Sequence, residues 1–368
     1  MWRYLIVLLP TLGLAQVEQG PPNADFQPAF AEQTRAEALA QTPLAVEVFA
    51  EGLDRPWGIA PLPGGQFLVT ERDGTLRIVS EGQVSAPIAG VPRVVSNGQG
   101  GLLDVAVSPS FATDRRVYLT YSKRVRGGAA TAAARAVLGA DGVLTDVQDI
   151  FVQSDPNRGG RHFGSRVVPM SDGSVFITTG DRGEGDGGSL SQSPDSTIGK
   201  VIRVTADGQV QIWSLGHRNM QGAALDGRGR LWTIEHGPRG GDELNLPKAG
   251  GNYGWPVVSY GINYSGRALG SGDAVRDGFE APVYYWDPVI APAGMMFYEG
   301  PYAPWRGDLL IGSLNPGGVV RLTFDGDRVV GEERLLRDVG RVRDIEDLPD
   351  GSFLAVLDSG EILRVTPG

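Results

Sequence analysis

A short pattern recurs six times along the chain: a small-residue apolar strand, a turn carrying Pro, Asp or Gly, a β-branched strand, a second turn and a third strand. The stretches WGIAPLPGGQFLVTERDGTLRIV, LLDVAVSPSFATDRRVYLTYS, SRVVPMSDGSVFITTGDRG, GAALDGRGRLWTIEHGPRG, GMMFYEGPYAPWRGDLLIGSL and IEDLPDGSFLAVLDSGEILRV carry it. The units start near Gly58, Asp104, Arg166, Gly222, Gly294 and Asp344, at spacings of roughly 45 to 70 residues, the range of propeller blades with inserted loops. Alternation in FLVTE, SVFITTG and RLWTIE gives each strand one buried and one mixed face, as stacked blades require. The expected fold is therefore all-β, a six-bladed β-propeller of four-stranded antiparallel blades over residues 43–368, rather than a sandwich with accidentally similar turns.

Composition agrees with many short strands and tight turns: 54 glycines and 25 prolines stand beside 41% apolar residues. GGAATAAARAVL has helical propensity, yet Val117–Ser122 and Val147–Val152 flank it as ladder neighbours. It is expected as a hairpin arm, because pairing overrides propensity. Residues 16–42 are expected to form a polar N-terminal arm with a short helical piece in AEQTRAEALAQ. Ahead of it, MWRYLIVLLPTLGLA carries Arg3, an apolar run and small residues before a cleavage point after Ala15. Residues 1–15 thus have the form of a secretory signal peptide, too short to span a membrane. The mature protein is expected in the periplasm or secreted, without stable membrane insertion, as a monomer or homodimer.

The net charge of -10 repels nucleic acid and anionic lipid surfaces. With no cysteine, thiol catalysis and thiolate metal sites are excluded. The three histidines, His162, His217 and His236, all sit in Gly/Arg-rich turns at strand ends. In a propeller such turns line the mouth of the central channel, where groups from different blades meet. Arg341 and Arg343 in RVRD share one face of an extended segment. Together with Arg218 in GHRN they suit a ligand with several carboxylates, although for any single arginine a surface ion pair with a neighbour such as Asp344 is the better explanation. The loops TGDRGEGDGGS and EHGPRGGDELN offer carboxylates and turn carbonyls of the kind calcium takes, without regular EF-hand spacing.

The motifs NGQGGLLDVAVSP, RHFGSRVVPMSDGSVFITTGDRG, LGHRNMQGAALD, EHGPRGGDELNLPKAGGNYGWP, GINYSG, PVIAPAGMMFY and RVRDIEDLPDG resemble, in this order, those of soluble pyrroloquinoline quinone (PQQ)-dependent aldose sugar dehydrogenases, the glucose/sorbosone dehydrogenase family. The likeness runs from about Phe49 to Val365. It implies a six-bladed propeller with PQQ and Ca²⁺ at the channel mouth, an aldose substrate and an external electron acceptor. His162 would be the general base at the sugar C1 hydroxyl, oriented by Asp181. Gln99 would lie beside cofactor and sugar, while Arg218, Asn219, Tyr264, Asn315, Arg341 and Arg343 would hold the quinone. The carbonyls of Gly237 and Pro238 would hold the active-site calcium, and Glu243 and Tyr253 a second, structural one. Two departures stand out: Asn315 replaces a lysine common in relatives, and Val289 and Ala293 replace hydroxyl residues. The competing functions are a calcium-dependent sugar lactone hydrolase, which needs no arginine clamp, and a non-enzymatic propeller binding module, which needs no His162.

Overall fold

The computed structural model describes residues 16–183 and 189–368. The expected signal peptide and residues 184–188 of the TGDRGEGDGGS loop lie outside the described residues.

Six antiparallel sheets are arranged as blades, and the fold is the expected six-bladed propeller. The inner strands are Pro56–Leu62, Leu102–Val107, Gly164–Pro169, Met220–Leu225, Pro292–Phe297 and Val342–Asp347, and each packs against the next until the sixth meets the first. These strands open the six units that the sequence repeats. Ring closure comes from the sixth blade, whose outermost strand is Leu44–Ala50 from the other end of the chain, paired antiparallel with Ile362–Pro367. That pairing leaves no gap between first and last blades, so the channel mouth has a fixed circumference. The alanine-rich stretch is a strand, Gly128–Leu138, between Arg116–Val125 and Leu144–Val152. Ala130, Ala132, Ala133 and Ala134 are fully buried there, so blade packing outweighs their helical propensity.

The helical piece in AEQTRAEALAQ does not form. Glu32 and Arg35 have positive φ, which breaks a right-handed helix. The chain then runs as a two-residue strand, Glu37–Ala38, parallel to Arg328–Leu335. Tertiary contacts supply the reason: the Ala36 amide donates to the Tyr284 hydroxyl at 2.9 Å, and Gln33, buried, donates to the Pro282 carbonyl at 2.7 Å. The arm thus straps across the fourth and fifth blades. Among the described residues no helix is long and apolar enough to cross a membrane.

The channel below the mouth is filled by one guanidinium. Arg166 donates to Asp104 at 2.8 Å, to Asp344 at 2.9 Å and to the Gln221 carbonyl at 2.6 Å, and it lies 4.3 Å from the ring centroid of Trp57. Side chains or backbone from the first, second, third, fourth and sixth blades therefore meet on it. The fifth contributes Gly294, where a Cβ would stand 1.7 Å from Asp344 Oδ1 and 2.7 Å from Arg166 Nη2. Glycine is required there by close approach rather than by backbone angle. Burial and the nearby Asp344 charge lift the Asp104 carboxyl above its ordinary value, with Arg166 opposing them.

Candidate active site

In each blade the start of the inner strand and the end of the second strand lie at the same edge, because the two are antiparallel neighbours. That edge forms the channel mouth. Gln99, His162, Arg218, Asn219 and Arg341 precede or open inner strands, while Arg72, Asp181, His236, Asn315 and Asp358 follow second strands. Residues remote in sequence are thereby gathered in one place.

His162 has φ of 52°, an unusual conformation for a non-glycine residue. Gln99 Oε1 accepts its backbone N–H at 2.7 Å, and its carbonyl accepts the Arg182 N–H at 3.2 Å. The imidazole Nδ1 lies 2.6 Å from Asp181 Oδ1. Asp181 is 1% exposed and also accepts the Trp255 indole N–H at 2.9 Å and the Gly183 N–H at 2.8 Å. Burial alone would raise this carboxyl, but the hydrogen bond and charge of His162, then Arg218 and the Gly183 amide, hold it below its ordinary value. An ionised Asp181 accepts only, so Nδ1 carries the imidazole proton and Nε2 keeps its lone pair. Burial lowers the His162 pKa below 6.5; the Asp181 bond opposes this and the Arg218 and Arg161 charges add to it. At neutral pH the imidazole is an unprotonated base.

Beside it lies a cavity of about 190 Å³ whose lining includes Trp57, Arg72, Gln99, His236, Arg341 and Arg343. Three arginines there face one carboxylate, Asp358. Arg343 contacts Asp358 through Nε at 2.8 Å and Nη2 at 3.1 Å, and Arg341 through Nε at 2.7 Å. Arg343 Nη1 also donates to Gln221 Oε1 at 3.0 Å, which ties the cavity to the Arg166 plug through the Gln221 main chain. Arg218 stands next to this space, 6% exposed, with its guanidinium 5.1 Å from the Trp255 ring centroid and Nη1 donating to the His236 carbonyl at 2.9 Å. The buried atoms Arg72 Nε, Arg218 Nε and His236 Nε2 have no hydrogen-bond partner. Buried donors in this state are costly unless a ligand completes them. A cationic cavity with unfilled polar positions fits a small polycarboxylate such as PQQ.

A smaller space behind Arg218 is lined by Glu235, Gly237, Glu243, Tyr253 and Trp255 among others. Asp242 anchors its loop, accepting the Gly237, Ile290 and Ala291 amides at 2.7–2.8 Å. Among the described residues no three His, Cys, Asp or Glu side chains converge as a metal site, so an ion here would draw on main-chain oxygens, as the hard donor set of calcium allows. His217 is fully buried behind this space, with Nε2 2.8 Å from Ser214 Oγ and Nδ1 3.2 Å from Glu235, and stacks on Tyr253.

His162, Asp181, Gln99, Arg218, Asn219, Arg341 and Arg343 thus gather at the mouth. Asn219 is buried, and its side-chain carbonyl accepts the Gly164 amide at 3.1 Å, so it fixes the loop that carries His162. Tyr264 is 69% exposed and reaches Arg218 only at 3.5 Å. Asn315 is exposed, while its neighbour Leu314 lines the cavity. Arg72, Asp358, Gln221, Trp57 and His236 are cavity residues that the motif reading did not assign. Arg72 and Asp358 follow the second strands of their blades in TERDG and VLDSG, the position that holds Asp181 in TTGDRG, so the repeat itself carried a signal for them.

A family model described as Glucose / Sorbosone dehydrogenase matches residues 53–364. The aldose sugar dehydrogenase YliI of Escherichia coli (strain K12) is 41% identical over 347 residues, covering 88% of this chain and 92% of that protein. The apo-form crystal structure of the soluble aldose sugar dehydrogenase from Escherichia coli superposes with a TM-score of 0.83 at 39% identity, covering 89% of this chain and 100% of the other. The PQQ-bound form of the aldose sugar dehydrogenase from Streptomyces coelicolor superposes with a TM-score of 0.74 at 28% identity, covering 89% of this chain and 99% of the other.

Proposed function

Because the chain belongs to the glucose/sorbosone dehydrogenase family, a family of sugar oxidoreductases, we propose that it oxidises the C1 hydroxyl of aldoses to lactones with PQQ as oxidant, calcium as metal and an external electron acceptor. The observation that carries this reading is the His162–Asp181 pair, 2.6 Å apart, set beside a cavity with three arginines.

When bound, PQQ would supply a two-electron acceptor for the hydride of sugar C1, and calcium would supply a Lewis acid beside it. The chain supplies the rest. His162 Nε2 receives the hydroxyl proton as hydride leaves C1, and the resulting imidazolium is stabilised by Asp181 through Nδ1–H. Trp255 and Gly183 hold Asp181 in line for this, and Gln99 fixes the strained backbone of the base. Arg341 and Arg343, braced on Asp358, and Arg218 bind the cofactor carboxylates, with Asn219, Tyr264 and Asn315 as further polar contacts. Arg72 and His236 join this set by their place in the cavity wall. Gly237 and Pro238 carbonyls would hold the calcium, and Glu243 and Tyr253 a second, structural ion.

The apolar leader MWRYLIVLLPTLGLA supports export to the periplasm or out of the cell. The test is reconstitution: purified protein with PQQ and calcium gains a quinone absorption that bleaches on adding an aldose. No bound quinone, or a bound quinone that no aldose bleaches, would overturn the assignment.

A further inference from the structure

A groove of about 470 Å³ adjoins the site, lined by Asn97, Arg124, Val125, Arg158, Gly160 and Phe163 among others. Phe163 and Trp57 belong to one buried cluster, and Trp57 lines the arginine cavity, so the two spaces share a wall. At the edge of that wall Gly98 and Gly160 pack directly on each other. The Gly160 carbonyl accepts the Gln99 N–H at 2.7 Å, and a Cβ on Gly98 would stand 2.3 Å from the same oxygen. Gln99 in turn holds the backbone of His162, so this glycine saddle connects the base to the groove.

The groove is built on a firm floor. Arg182 is 2% exposed, lies 3.4 Å from the Phe163 ring centroid, and donates to the carbonyls of Arg161 at 2.6 Å and Gly159 at 2.9 Å. Arg124 and Arg158 are different. Both are exposed, and neither guanidinium has an ion-pair or hydrogen-bond partner among the described residues. Two arginines that line one groove, neither paired with a carboxylate among the described residues, suit an anion. Val125 beside them offers apolar surface of the kind that covers the C–H face of a sugar ring.

We propose that this groove is a subsite for the second residue of an acidic saccharide, whose reducing aldose presents C1 to His162 while a carboxylate or phosphate on the next sugar lies between Arg124 and Arg158. This rests on the reading of His162 as the aldose base. Planar guanidinium forks recognise both anions, and charge-assisted contacts of this kind discriminate strongly against a neutral analogue.

The test compares cellobiose, glucuronosyl-β-1,4-glucose and cellobiose 6′-phosphate as substrates of the reconstituted holoenzyme with one uncharged acceptor dye. At low ionic strength the charged disaccharides are expected to exceed cellobiose in kcat/KM by about tenfold, and the ratio shrinks as salt is added. Arg124→Gln and Arg158→Gln each lower that ratio, and the double variant brings it to one. A preference for only one of the acids supports the subsite and names its anion. Equal kcat/KM for all three sugars, or an unchanged ratio in the double variant, overturns it. Calorimetric titration of the protein without quinone separates the two readings: charged disaccharides that bind more tightly than cellobiose, with the gain lost in the double variant, support the subsite even if no aldose is oxidised, whereas equal binding overturns it even if glucose is oxidised.

Discussion

Arg343 forks onto Asp358, with Nε at 2.8 Å and Nη2 at 3.1 Å from its two carboxylate oxygens. Arg343 is 6% exposed, and a buried guanidinium needs such a partner. Because Arg341 shares the same carboxylate, the pair of arginines is held in place yet keeps one positive charge in excess. The bracing orients the clamp before any ligand arrives, which lowers the ordering cost of binding.

Replacing Arg343 by Ala removes one charge-assisted contact, leaves Gln221 Oε1 without its donor and leaves Asp358 with Arg341 alone. The midpoint of a PQQ titration at fixed calcium is expected to rise by about 10- to 150-fold, equivalent to ~1.5–3 kcal/mol. An unchanged midpoint would show that Arg343 serves only the propeller rim.

For the base, His162→Ala is expected to leave the PQQ titration largely as it is while turnover falls by on the order of 10² to 10⁴. Stopped-flow bleaching of the bound quinone by glucose reads that step directly. A rate within a few-fold of the parent removes His162 from the reaction.

The pH profile follows from the direction of the His162 shift. Its folded pKa lies below 6.5 and the base must be unprotonated, so kcat/KM is expected to stay level through neutral pH and decline only on the acid side of 6.5. Asp181 opposes the lowering, so Asp181→Asn moves the acid limb to still lower pH, while the rate on the plateau drops because the Nδ1 proton is no longer held. A limb that moves upward in Asp181→Asn contradicts the assigned tautomer.

Chelation before PQQ is added is expected to abolish reconstitution, and calcium to restore it. Binding of the ion to the folded state alone also raises the unfolding temperature with calcium concentration. Full activity in protein shown to be metal-free removes the carbonyls of Gly237 and Pro238 from this role.

At the channel, Arg166→Ala strands Asp104 and Asp344 beside each other without their cation. Breaking a buried ion pair from one side costs about 3–5 kcal/mol. Chemical denaturation will report a loss of that size, and Arg166→Lys will recover part of it. A loss under ~1 kcal/mol would show that water enters the channel and screens the carboxylates.

The blade pattern was legible because it is local: alternation and turn residues repeat within a few tens of residues, and each repeat can do nothing but stack on its neighbours. The place of His162 was legible for a related reason, since scarce histidines in strand-end turns point to the mouth, where its Nδ1 lies 2.6 Å from Asp181. AEQTRAEALAQ misled because its helical propensity is local too, while its conformation is set by Tyr284 and Pro282 on a distant blade.

What the sequence determined, then, was the number of blades and the strand order within them. Only the closed ring decided which charges face one another. Pairing Leu44–Ala50 with Ile362–Pro367 brings the first blade against the last, and with it Arg72 of the one to the cavity that holds Arg341, Arg343 and Asp358 of the other. Coulomb interactions depend on distances through space, whereas the pattern along the chain records only the spacing within a blade.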